Sequence, residues 1–136
     1  MDDTAAEQDI RDVIEGVIEA LRTADARRLD SLLSDRPGCL HIGSDPIEWY
    51  SKAQILGGIS ESMSVGIDQV RAEAGAVDVH VVGDVAWAEG RGRFVSSRGA
   101  ARPFRMTWVF ARDDGQWKSV QSHTSIGVPN QEMFAS

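Results

Sequence analysis

His123 is the side chain of this sequence best suited to proton transfer, since an imidazole titrates near neutral pH and can donate or accept a proton. It lies in a polar run, QSHTS over residues 121–125, at a point where a sheet face is expected to be buried. Glu89 and Arg91 share one face of a predicted strand over residues 85–95, because side chains alternate along a strand. If that face is concave, the three side chains converge on a site for acid–base catalysis. If it is convex, the two charges lie in solvent or in a dimer interface.

The hairpin predicted over residues 103–125 places His123 opposite an aromatic segment. Asp114-Gly115 lies between two segments of strand-like composition, and Asp-Gly in that setting predicts a two-residue turn because both central positions need positive φ. In this register the facing pairs are Phe110 with Ser119, Trp108 with Gln121, and Met106 with His123. A three-residue loop would shift every pair by one residue.

In the two-residue register, one sheet face mixes aromatic and polar side chains: Met106, Trp108, Phe110, Gln121 and His123. Aromatic walls with few convergent polar groups suit a small apolar ligand, so this face predicts a binding site. The alternative is a core face whose histidine and glutamine are satisfied by the backbone. Trp49 and Tyr50 are predicted to close one mouth of the pocket, where the tyrosine hydroxyl offers a polar group.

The elements that position these residues follow from the apolar spacing. Apolar residues three and four apart over residues 7–24 predict an amphipathic helix, and Asp25 is placed to cap a short second helix. A strand over residues 39–42 and a third helix that opens at Ser51 follow. The period then changes to two, which predicts strands over residues 67–73, 77–82 and 85–95. The order α-α-β-α-β-β-β-β-β predicts an α+β domain in which helices cover one face of a strongly curved, mostly antiparallel sheet.

Length and charge exclude several classes of protein. The 136 residues carry 14 basic and 21 acidic side chains, and the formal net charge of −7 opposes binding to nucleic acid. Cys39 is the single cysteine, and no metal-ligand spacing or cofactor motif occurs, so we expect neither a metal nor a cofactor. One domain over residues 1–136 is predicted, with flexible tails at 1–6 and 128–136. An acidic amino terminus without a long apolar run predicts a cytoplasmic protein with no membrane partner.

Three motifs resemble those of a known superfamily. They are Trp49-Tyr50 before the third helix, Gly83-Asp84-Val85-Ala86, and the run from Arg112 to Lys118 followed by His123 and Ser125. Together with the order of elements, they resemble the nuclear transport factor 2-like superfamily, specifically its SnoaL-like branch, over nearly the whole chain. The resemblance implies a cone-shaped α+β roll with a cavity, commonly a homodimer through the outer sheet faces.

The resemblance leaves the chemistry open, because the superfamily contains cyclases, isomerases, dehydratases, epoxide hydrolases and binding or assembly domains. His41 and Asp45 flank the end of the first predicted strand, near where isomerase-type members place a catalytic acid. Asp45 also precedes Pro46, and Asp-Pro is a turn signal. Arg91 belongs to a local basic cluster that would attract a carboxylate-bearing ligand.

Three functions follow as hypotheses. The first is a homodimeric protein that binds a small apolar or carboxylate-bearing molecule in a pocket lined by His41, Trp49, Tyr50, Arg91, Trp108, Phe110 and Gln121. The second is an isomerase, cyclase or hydrolase that acts through His123 with Glu89 or Asp45. The third is a non-catalytic assembly module that associates through apolar strand faces.

Overall fold

A computed structural model of the chain describes residues 3–64 and 70–135, with the helix backbone alone over residues 60–64. The helices are α1 (Thr4–Thr23), α2 (Ala26–Leu32) and α3 (Lys52–Ser64). The strands are β1 (Leu40–Ile42), β2 (Trp49–Ser51), β3 (Arg71–Val82), β4 (Val85–Val95), β5 (Ala101–Asp113) and β6 (Gln116–Ser125). A short 3₁₀ turn, Asn130–Glu132, follows the last strand.

The helices form for the local reasons that the sequence indicates. In α1 the predicted stripe is buried at Ile10, Val13, Ile14 and Val17. The Asp25 carboxylate accepts the backbone N–H of Arg28 at 3.0 Å and so caps α2. At the start of α3, the Ser51 hydroxyl accepts the N–H of Gln54, and the Gln54 amide oxygen accepts the N–H of Ser51, at 3.2 and 2.9 Å. The predicted capping box is therefore confirmed.

The six strands form one curled, unclosed sheet in the order β2-β1-β6-β5-β4-β3. Every neighbouring pair is antiparallel except β1 with β6, which is parallel. The helices pack on one face, called the concave face below, and the opposite face is called the convex face. Six buried side chains of β4 and β5 point to the concave face: Ala86, Ala88, Phe104, Met106, Trp108 and Phe110. This arrangement confirms the predicted α+β fold.

The order of elements differs from the prediction in two places. The strands expected over residues 67–73 and 77–82 are one strand, β3, whose pairing with β4 shifts between Ala74 and Val77. Residues 67–69 of the first expected strand lie outside the described ranges. A β-bulge inserts unpaired residues without ending a strand, and in the sequence it resembles a turn. The second difference is β2, a three-residue strand that pairs with β1 and is absent from the predicted order of elements.

The turn of the β5–β6 hairpin is the predicted two-residue turn, but the register beyond it was predicted wrongly. Asp114 and Gly115 have φ of 52° and 81°, and Phe110 pairs with Ser119 as expected. A bulge then leaves Val120 without a partner, and Val109 pairs with Gln121. The corrected pairs are Trp108 with Ser122, Met106 with Thr124, and Thr107 with His123. Gln121 and His123 therefore face away from Trp108, because one inserted residue exchanges the two faces of a strand.

None of the helices in the described ranges is both long and apolar enough to cross a membrane.

Candidate functional site

A line of polar side chains crosses the concave face where four strands meet. Trp108 on β5 pairs with Ser122 on β6, Ser122 pairs with His41 on β1, and His41 pairs with Tyr50 on β2. Directly paired residues share a face, and neighbouring strands lie about 4.8 Å apart. We call these four residues the polar row. It continues through Ala88 and Val79 on β4 and β3, which are apolar.

His41 is held in the polar row by two neighbours. Its Nδ1 lies 2.7 Å from the Ser122 hydroxyl oxygen, and its Nε2 lies 3.5 Å from the Cys39 sulfur. The side chain is 6% exposed, and this burial lowers the pKa of His41 from 6.5 to about 4. The imidazole is therefore neutral at pH 7 and carries one N–H.

The neighbouring thiol indicates which ring nitrogen carries that proton. The Cys39 thiol donates to the carbonyl oxygen of Ser119 at 3.6 Å, which leaves its sulfur free to accept a hydrogen bond. Burial raises the pKa of Cys39, so the thiol keeps its proton. We therefore assign the Nε2–H tautomer to His41, in which Nε2 donates to the Cys39 sulfur and Nδ1 accepts the hydroxyl proton of Ser122. The Ser122 oxygen keeps its lone pairs for a further donor.

Two buried polar atoms on the concave face have no hydrogen-bond partner in the described part of the chain. They are Nε1 of Trp108 and the hydroxyl oxygen of Ser119. The Trp108 side chain is 5% exposed, and its ring stacks on Phe110 with centroids 5.8 Å apart. An unpaired buried donor costs about 1–3 kcal/mol, so a group of this kind calls for an explanation such as a bound molecule.

The two rows of residues that flank the polar row on β3 to β6 carry no charged side chain. The adjacent rows on the concave face consist of Val81, Ala86, Phe110 and Ser119 on one side and of Val77, Gly90, Met106 and Thr124 on the other. Helix α3 contacts β1 and β2 and contributes Ile59 to the core. Two surface grooves of about 370 and 390 Å³ lie elsewhere, one along α1 beside Arg28 and one around the turn at Asp114.

The structure brings only some of the predicted site residues together. His41, Tyr50 and Trp108 lie in the polar row, and Phe110 lies in the adjacent row. Trp49 is 64% exposed and pairs with Ile42 rather than closing a pocket. The carboxylate of Asp45, an exposed residue, accepts the N–H of Ile47 at 3.0 Å, as expected for an Asp-Pro turn.

The other predicted residues lie on the convex face, and the expected concave placement of Gln121 and His123 is corrected here. Glu89 and Arg91 alternate with the buried Ala88 and are exposed, as are Gln121 and His123. Glu89 and His123 are separated by Thr107 on the intervening strand, a distance of about 10 Å between their strands. The imidazole Nε2 of His80 lies 2.8 Å from the Glu89 carboxylate instead. The proposed catalytic groups are therefore not assembled on one site.

Sequence reasoning missed Ser122, the central member of the polar row. The run QSHTS shows a serine beside His123, but only the Val120 bulge turns that serine toward Trp108. Its contact with His41 depends on the parallel pairing of β1 with β6, which joins residues 81 apart in sequence. No local pattern reports such a pairing. In the described ranges, no three His, Cys, Asp or Glu residues come together as a candidate metal site.

The solved structures that resemble this one share its fold. An NTF2-like protein of unknown function from Pseudomonas putida KT2440 is 23% identical with a TM-score of 0.79, over 94% of this chain and 91% of that one. An NTF2-like superfamily protein from Salmonella enterica serovar Typhimurium LT2 is 20% identical with a TM-score of 0.79, over 95% and 96%. A candidate dehydratase of the NTF2-like family from Streptomyces avermitilis is 18% identical with a TM-score of 0.74, over 89% and 95%.

The sequence also matches a family model. Comparison with curated proteins finds no match. The model of the SnoaL-like domain matches residues 10–129, which include most of α1, the other two helices, the six strands and the polar row. The NTF2-like structures above share the fold, and the match over most of the chain shows that this chain belongs to the SnoaL-like domain family.

Proposed function

We propose that the protein binds a small, largely apolar molecule on the concave face, at the polar row. The observation that carries this proposal is the buried Nε1 of Trp108, which lacks an acceptor in the described residues. It lies on the strand next to the Ser122–His41 pair. An apolar wall with a few polar groups at fixed positions is the usual composition of a small-molecule site. The fold, which hosts binding proteins and enzymes alike, is compatible with the proposal.

The neutral imidazole favours binding over acid–base catalysis at this position. A general base works best when its pKa lies near the working pH, and the pKa of His41 is lowered to about 4 by burial. His41 then acts as a fixed hydrogen-bonding group that orients the Ser122 hydroxyl. An acid–base enzyme that acts through His123 and Glu89 stays a prediction, because these two side chains do not share a site.

Substitution of Ser122 with leucine is expected to block the site. The larger side chain would occupy the space between Trp108 and His41, so binding of 2-methylnaphthalene, a neutral apolar probe, should weaken at least about tenfold. The measurement is a titration followed by the indole N–H signals in ¹H–¹⁵N NMR spectra. The matched control is Thr107→Leu, which places the same leucine side chain on the convex face of the same hairpin. Equal affinity of wild type and Ser122→Leu, with both folded, would contradict the proposal, and so would a wild type that binds no probe.

A second candidate function, self-association, is favoured by the charges on the convex face. Asp78 pairs directly with Glu89, and Arg91 pairs directly with Arg105. Like charges directly opposite each other destabilise a sheet, and here an acidic pair and a basic pair occupy successive positions on one face. Exposed apolar residues, including Trp87 at 45% exposure, lie beside them.

These charges are self-complementary for two copies packed face to face. The two-fold axis would lie in the interface plane, perpendicular to the strands, and would pass between Glu89 and Arg91. It would place the acidic pair of each copy opposite the basic pair of the other. Each like-charge repulsion would then be offset by opposite charges. We therefore propose a homodimer through the convex face.

Charge reversal tests this homodimer and its register together. Two double variants, Arg91→Glu with Arg105→Glu and Asp78→Arg with Glu89→Arg, should each be monomeric in sedimentation equilibrium because like charges then face each other. An equimolar mixture of the two should associate again, with at least about tenfold higher affinity than either alone. The control, Arg98→Glu with Arg102→Glu, makes the same charge change away from these pairs and should stay dimeric. A monomeric wild type, or a mixture that stays monomeric, would refute the model.

A further inference from the structure

The polar row offers a ligand one donor and one acceptor at neighbouring positions. The donor is the Nε1–H of Trp108, which has no partner in the described ranges. The acceptor is the Ser122 oxygen, which lies 2.7 Å from Nδ1 of His41 and, in the tautomer assigned above, directs its own proton to that nitrogen. Trp108 and Ser122 are directly paired across β5 and β6, so their side chains leave the backbone on one face about one strand spacing apart. A ligand that satisfies both groups must carry an acceptor and a donor.

The same environment disfavours a charged ligand. Trp108 is 5% exposed, and the rows on either side of it contain only uncharged side chains. The nearby lysine, Lys52, is already held by the carboxylates of Asp30 and Asp35 at 2.9 and 2.6 Å. His41 is neutral at pH 7 because burial lowers its pKa to about 4. Burial of a carboxylate without a cation costs far more than burial of a neutral group that can form hydrogen bonds.

We infer that the polar row takes an uncharged ligand that carries a carbonyl beside an N–H or O–H group, such as a carboxamide or a hydroxyketone. The carbonyl oxygen accepts the Nε1–H of Trp108, and the neighbouring N–H or O–H donates to the Ser122 oxygen. This inference rests on the proposed small-molecule site and excludes the carboxylate-bearing class that the basic cluster suggested, because Arg91 lies on the convex face.

Three matched probes with one ring system test the inference: 2-naphthamide, 2-naphthoate and 2-methylnaphthalene. The amide should bind at least about tenfold more tightly than the carboxylate and more tightly than the methyl compound. The protein has four tryptophans, so Trp108→Phe identifies the Trp108 indole signal by its loss from the ¹H–¹⁵N spectrum. In the wild type, that signal should move downfield with the amide, since its N–H gains an acceptor.

The variants separate hydrogen bonding from packing. Trp108→Phe keeps an aromatic ring but removes the donor, and Ser122→Ala removes the acceptor. Each should reduce the preference for the amide over 2-methylnaphthalene about three- to tenfold, the usual net effect of one hydrogen bond. Trp87→Phe, on the convex face, is the matched control and should change neither affinity.

The outcomes distinguish this inference from the function on which it rests. If no probe binds, the proposed site itself is refuted. If 2-methylnaphthalene binds as tightly as the amide, or 2-naphthoate binds more tightly, a small-molecule site exists but its inferred ligand class is wrong. An amide preference that survives in Trp108→Phe would likewise overturn the assignment of Trp108 as the donor.

Discussion

The folded protein is expected to lose about 3 kcal/mol of stability as the pH falls from 6.5 to 4, because His41 is buried in its neutral form. Burial lowers the folded-state pKa of His41 to about 4, whereas the unfolded chain keeps the ordinary value of 6.5. Between these values the unfolded state binds more protons, so acid favours unfolding. The stabilising contribution is complete above pH 6.5, falls through the interval and is absent below pH 4.

Urea unfolding at neutral pH and near pH 4 measures this loss. His41→Asn replaces the imidazole with a group that can hydrogen-bond to Ser122 but does not titrate. The free energy of unfolding of this variant should therefore fall by about 3 kcal/mol less than that of the wild type over the same pH interval. The matched control is His123→Asn, because His123 is exposed on the convex face. It should keep the wild-type pH dependence. An unchanged pH dependence in His41→Asn would show that the imidazole is not buried as described.

The carboxylates that form ion pairs contribute at lower pH. Hydrogen bonds from Arg22 and Lys52 lower the pKa values of Glu19 and Asp35 below their ordinary range. Groups of this kind stabilise the protein above their unfolded pKa, and the contribution is lost as the pH falls through the folded pKa. These side chains are solvent-exposed, so each effect is small. The share of the loss that belongs to His41 is therefore measured as the difference between the wild type and His41→Asn over this interval.

Replacement of Phe110 with alanine is expected to cost about 3–5 kcal/mol of unfolding free energy. Its side chain is completely buried, it stacks on Trp108 at a centroid distance of 5.8 Å, and it belongs to the continuous core of the concave face. Removal of the ring leaves a cavity that surrounding strands cannot fill by a small shift, because β5 is paired on both sides.

The control for Phe110→Ala is Val109→Ala, one position away on the same strand. Val109 points to the convex face and is half-buried, so truncation should cost less than about 1.5 kcal/mol. Guanidinium unfolding with a common slope gives both values. Similar losses for the two variants would contradict the assignment of faces in β5, on which the location of the polar row depends.

The placement of the site explains why chemistry inferred from residue type alone was misleading. His123 has an ordinary catalytic side chain, yet it is exposed on the convex face beside Thr107. His41, which the sequence places only at the end of the first predicted strand, is buried and held by its contact with Ser122. What distinguishes the two histidines is their position in the sheet, since an isolated histidine in a sequence carries no sign of burial or of partners.

The features that could be predicted from the sequence are those that depend on residues close together along the chain. The spacing of Ile10, Val13 and Val17 defines one face of α1, Asp25 caps α2 within three residues, and Asp114-Gly115 forms the tight turn. Each of these depends on steric or hydrogen-bonding preferences within a few residues. Together with the period-two segments, they were sufficient for the α+β class and the helices on one face.

Which polar groups lie together on the concave face depends on the tertiary structure. The Val120 bulge exchanges the faces of β6 beyond the turn, so that Ser122 rather than Gln121 or His123 joins Trp108 on the concave face. The parallel contact of β1 with β6 then brings His41 to Ser122. A bulge inserts one residue into an alternating pattern, and two parallel strands are not joined by a tight turn. Neither feature therefore has a local sequence signature. Local preferences were therefore sufficient to predict the fold, whereas the candidate site depends on long-range pairing.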